Sequence, residues 1–569
     1  MVMHEKSSLT RRSFIAGSAV AAAGAGLALA GCSSSSSSSA ASKSASASAS
    51  ASASASASAS AAASSSAAAA GKQITAACAY SSTNYTPIDM CGGSALMIPA
   101  TLHVFEGLYD LDLTTYKTYN ALAKGDPTKI SDTEYEVELR ESAKFSDGTD
   151  VTADDVVNAF EKNLVAGTIG PFLAFIDTVT KKDDKTVTIK LKYAFESLLK
   201  ARLSLVKIFP KAKEEQLKTL PIGSGPWMYV EGKLNGDDLG TIEFAPNPNY
   251  TGSKAAKADS MVWNVLKSDA TARVTALQEG VAMAAEAIPD SNVDQLTAAG
   301  CTVEYVQGFG LPFFMFNTMK APLSDPRVRQ AFYYAIDMDK LIANQMGGHA
   351  KAAKGFLNEN HPNFHEASNV FTYDPDKAKS LLAEAGVSDL KIKLEVNNNW
   401  VADLAPQIKN DLDAVGITTE LETKTLQWSE YAPVTETEGG PAIAPEGDKI
   451  PAFDVVLTPG DPTCFGNDVD LLLSWWYSDN IWTQGRSYWK FAPNSRWSEM
   501  QELMQKARES ADAAEQQTLW NQCFDILSEE VPLYPLFHRE LATGYRSDLI
   551  DGFKPIATTG LMFLDAAAK

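Results

Sequence analysis

In "EYEVELR" (Glu134 to Arg140), Tyr135, Val137 and Leu139 alternate with polar residues, the period of a half-buried strand. "TVTIKLK" (Thr186 to Lys192) repeats the alternation with Val187, Ile189 and Leu191. The rhythm then changes. "DPRVRQAFYYAIDMDKLI" puts Val328, Ala331, Phe332, Ala335 and Ile336 on one helical face, with Asp325 placed to cap and Pro326 suited to the first turn. "DPDKAKSLLAEAG" repeats the design: Asp374 and Pro375 at the start, a stripe of Ala378, Leu381, Leu382 and Ala385, and Gly386 as the stop. The pattern predicts further helices over 403–415, ended by Gly416, and over 498–510 and 513–529, before an extended "VPLYPLF" (Val531 to Phe537). Strands and helices interleave throughout, so a mixed α/β class is expected.

The amino terminus breaks this pattern. Lys6, Arg11 and Arg12 precede an uncharged run of mostly Ala, Gly, Val and Leu over residues 14–30. Charge, then apolar residues, then small residues is the order of a secretory leader. A membrane span would need about 20 strongly apolar residues, and this run is short and diluted by Ala and Gly. "TRRSFI" (Thr10 to Ile15) looks like a twin-arginine export signal carried by Arg11 and Arg12. "Leu29-Ala30-Gly31-Cys32" resembles the bacterial lipobox, which implies cleavage after residue 31 and lipid on Cys32. Residues 33–70 are nearly all Ser and Ala with Lys43 as the only charge, too little apolar surface to offset ordering. They read as a flexible tether whose coil dimension is on the order of 35 Å.

Composition narrows the rest. Hydrophobic residues make up 45 % and charged residues 21 %, as in soluble globular proteins. About 500 residues follow the tether, too many for one compact core, so two or three lobes are expected. The net charge of −21 disfavours nucleic acid and anionic lipid as partners. Membrane attachment then falls to the lipid. Past Cys32 stand Cys78, Cys91, Cys301, Cys464 and Cys523, an odd number without CxxC spacing, so a zinc ribbon is not expected and no pairing follows from spacing.

Two stretches invite a metal and do not fit one. "KFSDGTDVTADDVVNAF" (Lys144 to Phe160) carries Asp147, Asp150, Asp154 and Asp155, but an EF-hand counted from Asp147 has Gly at position 2 and Asn158 at position 12. A turn with Gly148 in a left-handed conformation, then a capping box of Thr152 with Asp155, accounts for the same residues. "HPNFH" offers His361 and His365 for nickel, but Pro362 blocks a helix there and no third ligand is evident. No metal and no cofactor are expected.

"LRESAKFSDGTDVTADDVVNAFE" also resembles the signature of the family-5 solute-binding proteins of ABC importers, the oligopeptide, dipeptide and nickel receptors. The resemblance continues in order through "HVFEGLYDLD" (His103 to Asp112), "PIGSGPWMYVEG" (Pro221 to Gly232), "NPNYTG" and "DATARVTALQEG". It ends with "FNTMKAPLSDPRVRQAFYYAID" (Phe316 to Asp337), "YDPDKAKSLLAEAG" and "VPLYPL". It implies a two-lobed periplasmic-binding-protein-like α/β fold of the large peptide-receptor type, class II, with an extra inserted domain. A discontinuous first lobe is expected at 71–106, 221–308 and 525–569, the insert at 107–220, and the second lobe at 309–524, with crossover strands near Gly308 and Ser528. It further implies a monomeric, lipid-anchored receptor on the outer face of the bacterial cytoplasmic membrane. Such a receptor closes on a solute and presents it to an ABC permease and its ATPase, without breaking a bond.

Peptide receptors of the family hold the ligand's ammonium with an aspartate after a second-lobe strand, and Asp461 in "FDVVLTPGDPTCFGND" is the matching position, with Thr458 where the family's tryptophan is expected. Dipeptide receptors add an arginine after the strand at "LEVNNNWVADLAP", where this chain has Trp400 and no arginine, so a peptide longer than a dipeptide is the expected ligand. Trp400, Trp475 and Trp476, with Tyr80 from the first lobe, complete the ligand-binding set; an oligosaccharide or a nickel chelate is the alternative solute. No GxSxG, HExxH, P-loop or GxGxxG occurs, so an enzyme is not expected. A surface sensor or adhesin remains as the second rival.

Overall fold

Strand Leu311–Phe316 is apolar and buried at every position, as befits the interior of a sheet covered on both faces. It belongs to a computed structural model that describes residues 72–93 and 95–569. The leader with Arg11 and Arg12, the lipobox Cys32 and the tether lie outside the described residues. On one side Leu311–Phe316 pairs antiparallel with Val455–Gly460, on the other with Leu533–Pro535. Leu390–Asn397 and Ile417–Lys424 extend the sheet in parallel to five strands.

A second, eight-stranded sheet runs in the order Thr302–Gln307, Phe537–Tyr545, Ala284–Ala285, Gln73–Cys78, Ser260–Val265, Thr241–Pro246, Trp227–Leu234, with Ala350–Ala352 added to Phe537–Tyr545. A third sheet is the antiparallel set Thr128–Ser131, Glu134–Glu138, Thr186–Leu191 and Ile176–Asp183, which contains both alternating runs read from the sequence.

Direct strand-to-strand crossings between the two large sheets occur at two places. Residues 308–310 join Thr302–Gln307 to Leu311–Phe316, and Leu536 joins Leu533–Pro535 to Phe537–Tyr545. The second crossing thus lies at Leu536 and not near Ser528, which sits buried inside helix Ala513–Glu530. That helix carries its apolar positions to Leu527 and stops at Val531, held in a left-handed conformation at φ 46°.

The helix caps follow the local chemistry. Asp325 accepts the Arg327 N–H at the start of Pro326–Ala335, and Asp374 accepts the Lys377 N–H at the start of Pro375–Glu384. Thr152 and Asp155 form the capping box of Ala153–Leu164, and Gly148 takes φ 86° in the turn before it. Asp147, Asp150 and Asp154, the other acids of that stretch, pair with Lys213, Lys144 and Lys181. All five cysteines past residue 71 are free thiols, Cys464 half-buried and the others buried.

Candidate functional site

The register of the central pairing decides what meets at the crossing. Leu311 lies opposite Gly460, so the next residues outward, Gly310 and Asp461, are neighbours. A Cβ built on Gly310 would lie 3.3 Å from Asp461 Oδ2 and 3.8 Å from Arg539 Cγ. The Arg539 backbone N–H donates to the Gly310 carbonyl at 3.2 Å. Gly310, with no side chain, thus lies against both the Asp461 carboxylate and the stem of Arg539.

Neither charge is held in an ion pair among the described residues. Asp461 Oδ1 accepts the Thr463 N–H at 2.9 Å and the Thr463 hydroxyl at 2.5 Å, while its Oδ2 is inaccessible to solvent and has no hydrogen-bond partner. Burial pushes the Asp461 carboxyl up to about 6, against the pull of Thr463 and the Arg539 charge; the Gly310 N–H lies near it but closes no hydrogen bond. Among the described residues the Arg539 guanidinium has no hydrogen bond and no ion pair; its Cζ sits 4.4 Å from the centre of the Trp400 ring. Burial lowers its pKa, opposed by Tyr80, Asp290 and Asp461.

Tyr80 follows strand Gln73–Cys78 into the same place. Burial, then the Glu286 charge, pushes its phenol up to about 12, and Arg539 and Asp461 both act on it. Glu286 fixes the backbone here by accepting the Ala79 N–H at 3.0 Å and the Gly560 N–H at 2.8 Å, and burial raises its own carboxyl to about 7. Tyr116, in a left-handed turn at φ 53°, brings its hydroxyl towards Thr463 from the opposite direction.

Of the residues singled out from the sequence, the structure brings Asp461, Tyr80 and Trp400 to one place. Trp476 is 2 % exposed and forms the wall behind them: its Cη2 lies 2.3 Å from where a Cβ of Gly460 would stand. Trp475 faces elsewhere. It stacks between Phe172 and Phe465 and lines a cavity of about 520 Å³ between residues 167–175 and 474–482. His361 and His365 engage different partners, the Asn467 carbonyl at 2.6 Å and Asp525 at 3.1 Å. Sequence reasoning missed Arg539 and Tyr116. The only signal for Arg539 was a lone cation just beyond the apolar run "VPLYPLFH".

A carboxylate and a guanidinium, both half-buried and neither in an ion pair, suit a ligand with an ammonium and a carboxylate of its own. The model of the bacterial extracellular solute-binding proteins, family 5, matches residues 117–497, more than half of the chain. The chain belongs to that family. It is a solute-binding protein of an ABC importer. The glutathione-binding protein GsiB of Escherichia coli strain K12 is 25 % identical over 522 residues, covering 87 % of this chain and 96 % of that protein. Among solved structures, NikA from Staphylococcus aureus in complex with Ni(L-His)2 superposes at TM-score 0.71 with 18 % identity, covering 88 % of this chain and 100 % of that one. The dipeptide-binding protein of Pseudoalteromonas sp. SM9913, in complex with Met-Leu, gives TM-score 0.70 with 18 % identity and the same coverage. These solute-binding proteins share the mixed α/β fold, and the family and its neighbours are binding proteins rather than enzymes. No helix of the described residues is long and apolar enough to cross a membrane.

Proposed function

We propose that this receptor takes a peptide with a free amino terminus, binding the ammonium at Asp461 and a carboxylate or carbonyl oxygen at Arg539, and delivers it to a membrane permease. The observation that carries the reading is the orphaned, buried Asp461 Oδ2 beside an Arg539 guanidinium with no partner. A charge left unpaired in a buried place is costly unless something else supplies the counter-charge. Tyr80 and Tyr116 are placed to close over the ligand, and the Trp400 ring braces Arg539. Absence of an arginine within 394–406 argued against a short peptide, yet Arg539 stands beside Trp400 from a different strand, so that argument falls away. Glutathione and Met-Leu, named for the relatives, both carry a free ammonium and a carboxylate.

In this reading two lobes, 71–106 with 221–308 and 537–569, and 309–535, close about residues 308–310 and Leu536, with 107–220 inserted into the first; the pairing of Leu533–Pro535 with Leu311–Phe316 moves the boundary from 524 to Leu536. The leader resemblance supports export through the twin-arginine route and anchoring of Cys32 by lipid outside the cytoplasmic membrane. Fatty-acid labelling of the expressed protein is expected and is lost in Cys32→Ser; persistent labelling would remove the anchor from the proposal. The ligand reading is tested by thermal unfolding with alanine peptides of two to five residues and with glutathione. Free-amine peptides raise Tm, because a ligand that binds only the folded state stabilises it, and the N-acetylated forms do not. Equal shifts with and without the acetyl group would sink the assignment of Asp461.

A further inference from the structure

His361, the first histidine of "HPNFH", is 6 % exposed, and both of its ring nitrogens are in use. The Asn363 N–H donates to Nδ1 at 3.0 Å, which makes Nδ1 the bare nitrogen and leaves the proton on Nε2. Nε2–H then donates to the Asn467 carbonyl at 2.6 Å. Burial lowers the His361 pKa, against the pull of the Asn467 carbonyl and the Asp468 charge, so the neutral ring this pattern needs is the favoured one. The ring joins two backbone segments and keeps no nitrogen for a metal.

The turn that carries His361 is fixed at both ends. The His361 N–H donates to the Asn358 carbonyl at 3.0 Å. The Asn358 side chain accepts the Asn360 N–H at 3.0 Å, and its Nδ2 donates to the Gly308 carbonyl at 3.3 Å. On the far side Asn363 Nδ2 donates at 2.7 Å to Gln517 Oε1, on helix Ala513–Glu530. The turn is therefore tied both to the first crossing and to a long helix.

From Asn467 the bonds lead back to the candidate site. The Gly466 N–H donates to the Thr463 carbonyl at 3.3 Å, and the Phe465 N–H donates to the Pro462 carbonyl at 3.0 Å. Thr463 donates twice to Asp461, which lies against Gly310. The connections close a ring from Gly308 through Asn358, His361 and Asn467 to Asp461 and Gly310. Strand register fixes only the root of Asp461. The direction of its carboxylate depends on the loop that follows, and that loop is held at its far end by His361. A binding group is selective only when such supporting bonds leave it little freedom.

We propose that His361 is a positioning residue for the ammonium site. As the Nε2–H tautomer it ties the far end of loop 461–468 to the turn anchored at Gly308, and so holds the Asp461 carboxylate in place for the ligand's amine. This rests on the reading of Asp461 as the ammonium site.

The test takes the alanine peptide of two to five residues that raises Tm most, free and N-acetylated, and titrates it by calorimetry, with release followed by stopped-flow tryptophan fluorescence. His361→Asn places an amide oxygen near Nδ1 and gives up the bond to Asn467. His361→Gln places an amide N–H near Nε2 and gives up the acceptor for Asn363. His361→Asn is expected to weaken the free-amine peptide about tenfold, through faster release, and His361→Gln about threefold or less. In the Asp461→Asn background His361→Asn should cost less than about twofold, because its effect passes through the Asp461 carboxylate. A penalty equal for free and acetylated peptides, or one that persists in Asp461→Asn, overturns the assignment and leaves His361 a part of the core alone. Unaltered affinity in His361→Asn overturns it as well. A wild type that does not distinguish free from acetylated peptide overturns the Asp461 reading and this one with it. If the variants do not fold, the long-range 1H–15N spectrum of the wild-type imidazole decides. A proton on Nε2 and a bare Nδ1 near neutral pH are expected; the opposite tautomer or an imidazolium overturns the assignment.

Discussion

Asp461→Asn is expected to weaken a free-amine peptide by between about 30-fold and several thousand-fold, since removing one partner of a buried, hydrogen-bonded charge pair costs ~2–5 kcal/mol and each 1.4 kcal/mol is tenfold. Asn keeps the shape and can still accept from Thr463 through its oxygen, so the loss reports charge rather than collapse of the loop. The same peptide N-acetylated should bind both proteins equally weakly. pH supplies an independent arm. With its carboxyl raised to about 6 from the ordinary 3.8, free Asp461 holds a proton below pH 6 that must leave before an ammonium is accepted. Affinity therefore falls, towards tenfold per unit, as pH drops below about 6. It falls again above about 8, where the ligand's own α-amine loses its proton. Asp461→Asn should remove the acidic limb and keep the alkaline one. Calorimetric titration across pH 4–9 reads both; an unchanged acidic limb in the variant would mean another group, such as Glu286, controls binding.

What could be read beforehand divides along a physical line. The caps at Asp325, Asp374 and Thr152, the left-handed Gly148 and the alternating strands at 134 and 186 depend on residues a few positions apart, and the structure has them where periodicity and capping chemistry place them. Asp461 was named through a resemblance, and the structure shows what positions it: the Leu311–Gly460 register sets Asp461 beside Gly310. Arg539 was legible only as a lone cation after an apolar run. What distinguishes it is the lack of a partner, and partners are set by contacts between segments far apart in sequence. Trp476 shows the converse. Its aromatic neighbourhood suggested ligand contact, while its packing on Gly460 makes it the support of the wall. The second crossing was misplaced for a related reason: helix periodicity runs on through Ser528, and only sheet pairing reveals that the chain changes sheets at Leu536.

The second large effect is expected at Arg202, which lies far from Asp461 in sequence and holds the loop that carries it. Arg202 comes from the short helix Leu199–Leu203 and is 1 % exposed. It donates to both oxygens of Asp468 at 2.7 Å and to Asp470 Oδ2 at 2.9 Å, while Arg508 Nε donates to Asp470 Oδ1 at 2.6 Å. Asp468 in turn caps helix Val469–Tyr477 by accepting the Leu471 N–H. Burial would raise the Asp470 carboxyl, but Arg508 and Arg202 outweigh it and hold the group below its ordinary range. Two cations thus balance two carboxylates, with Arg202 and Asp470 buried and Asp468 and Arg508 partly so. Arg202→Met leaves one cation against two acids, one of them buried, and breaking a buried pair on one side costs about 3–5 kcal/mol. Stability to urea should fall by that amount, and the ligand should leave faster, because the segment 461–468 loses its tie to residues 199–203. The double variant Arg202→Met with Asp468→Asn restores the balance of one cation and one acid and should lose less than the two single variants summed. Strict additivity of the singles would show that the network is not a coupled unit. A single variant that unfolds normally but releases ligand faster would place its role in holding the ligand-bound form rather than in folding.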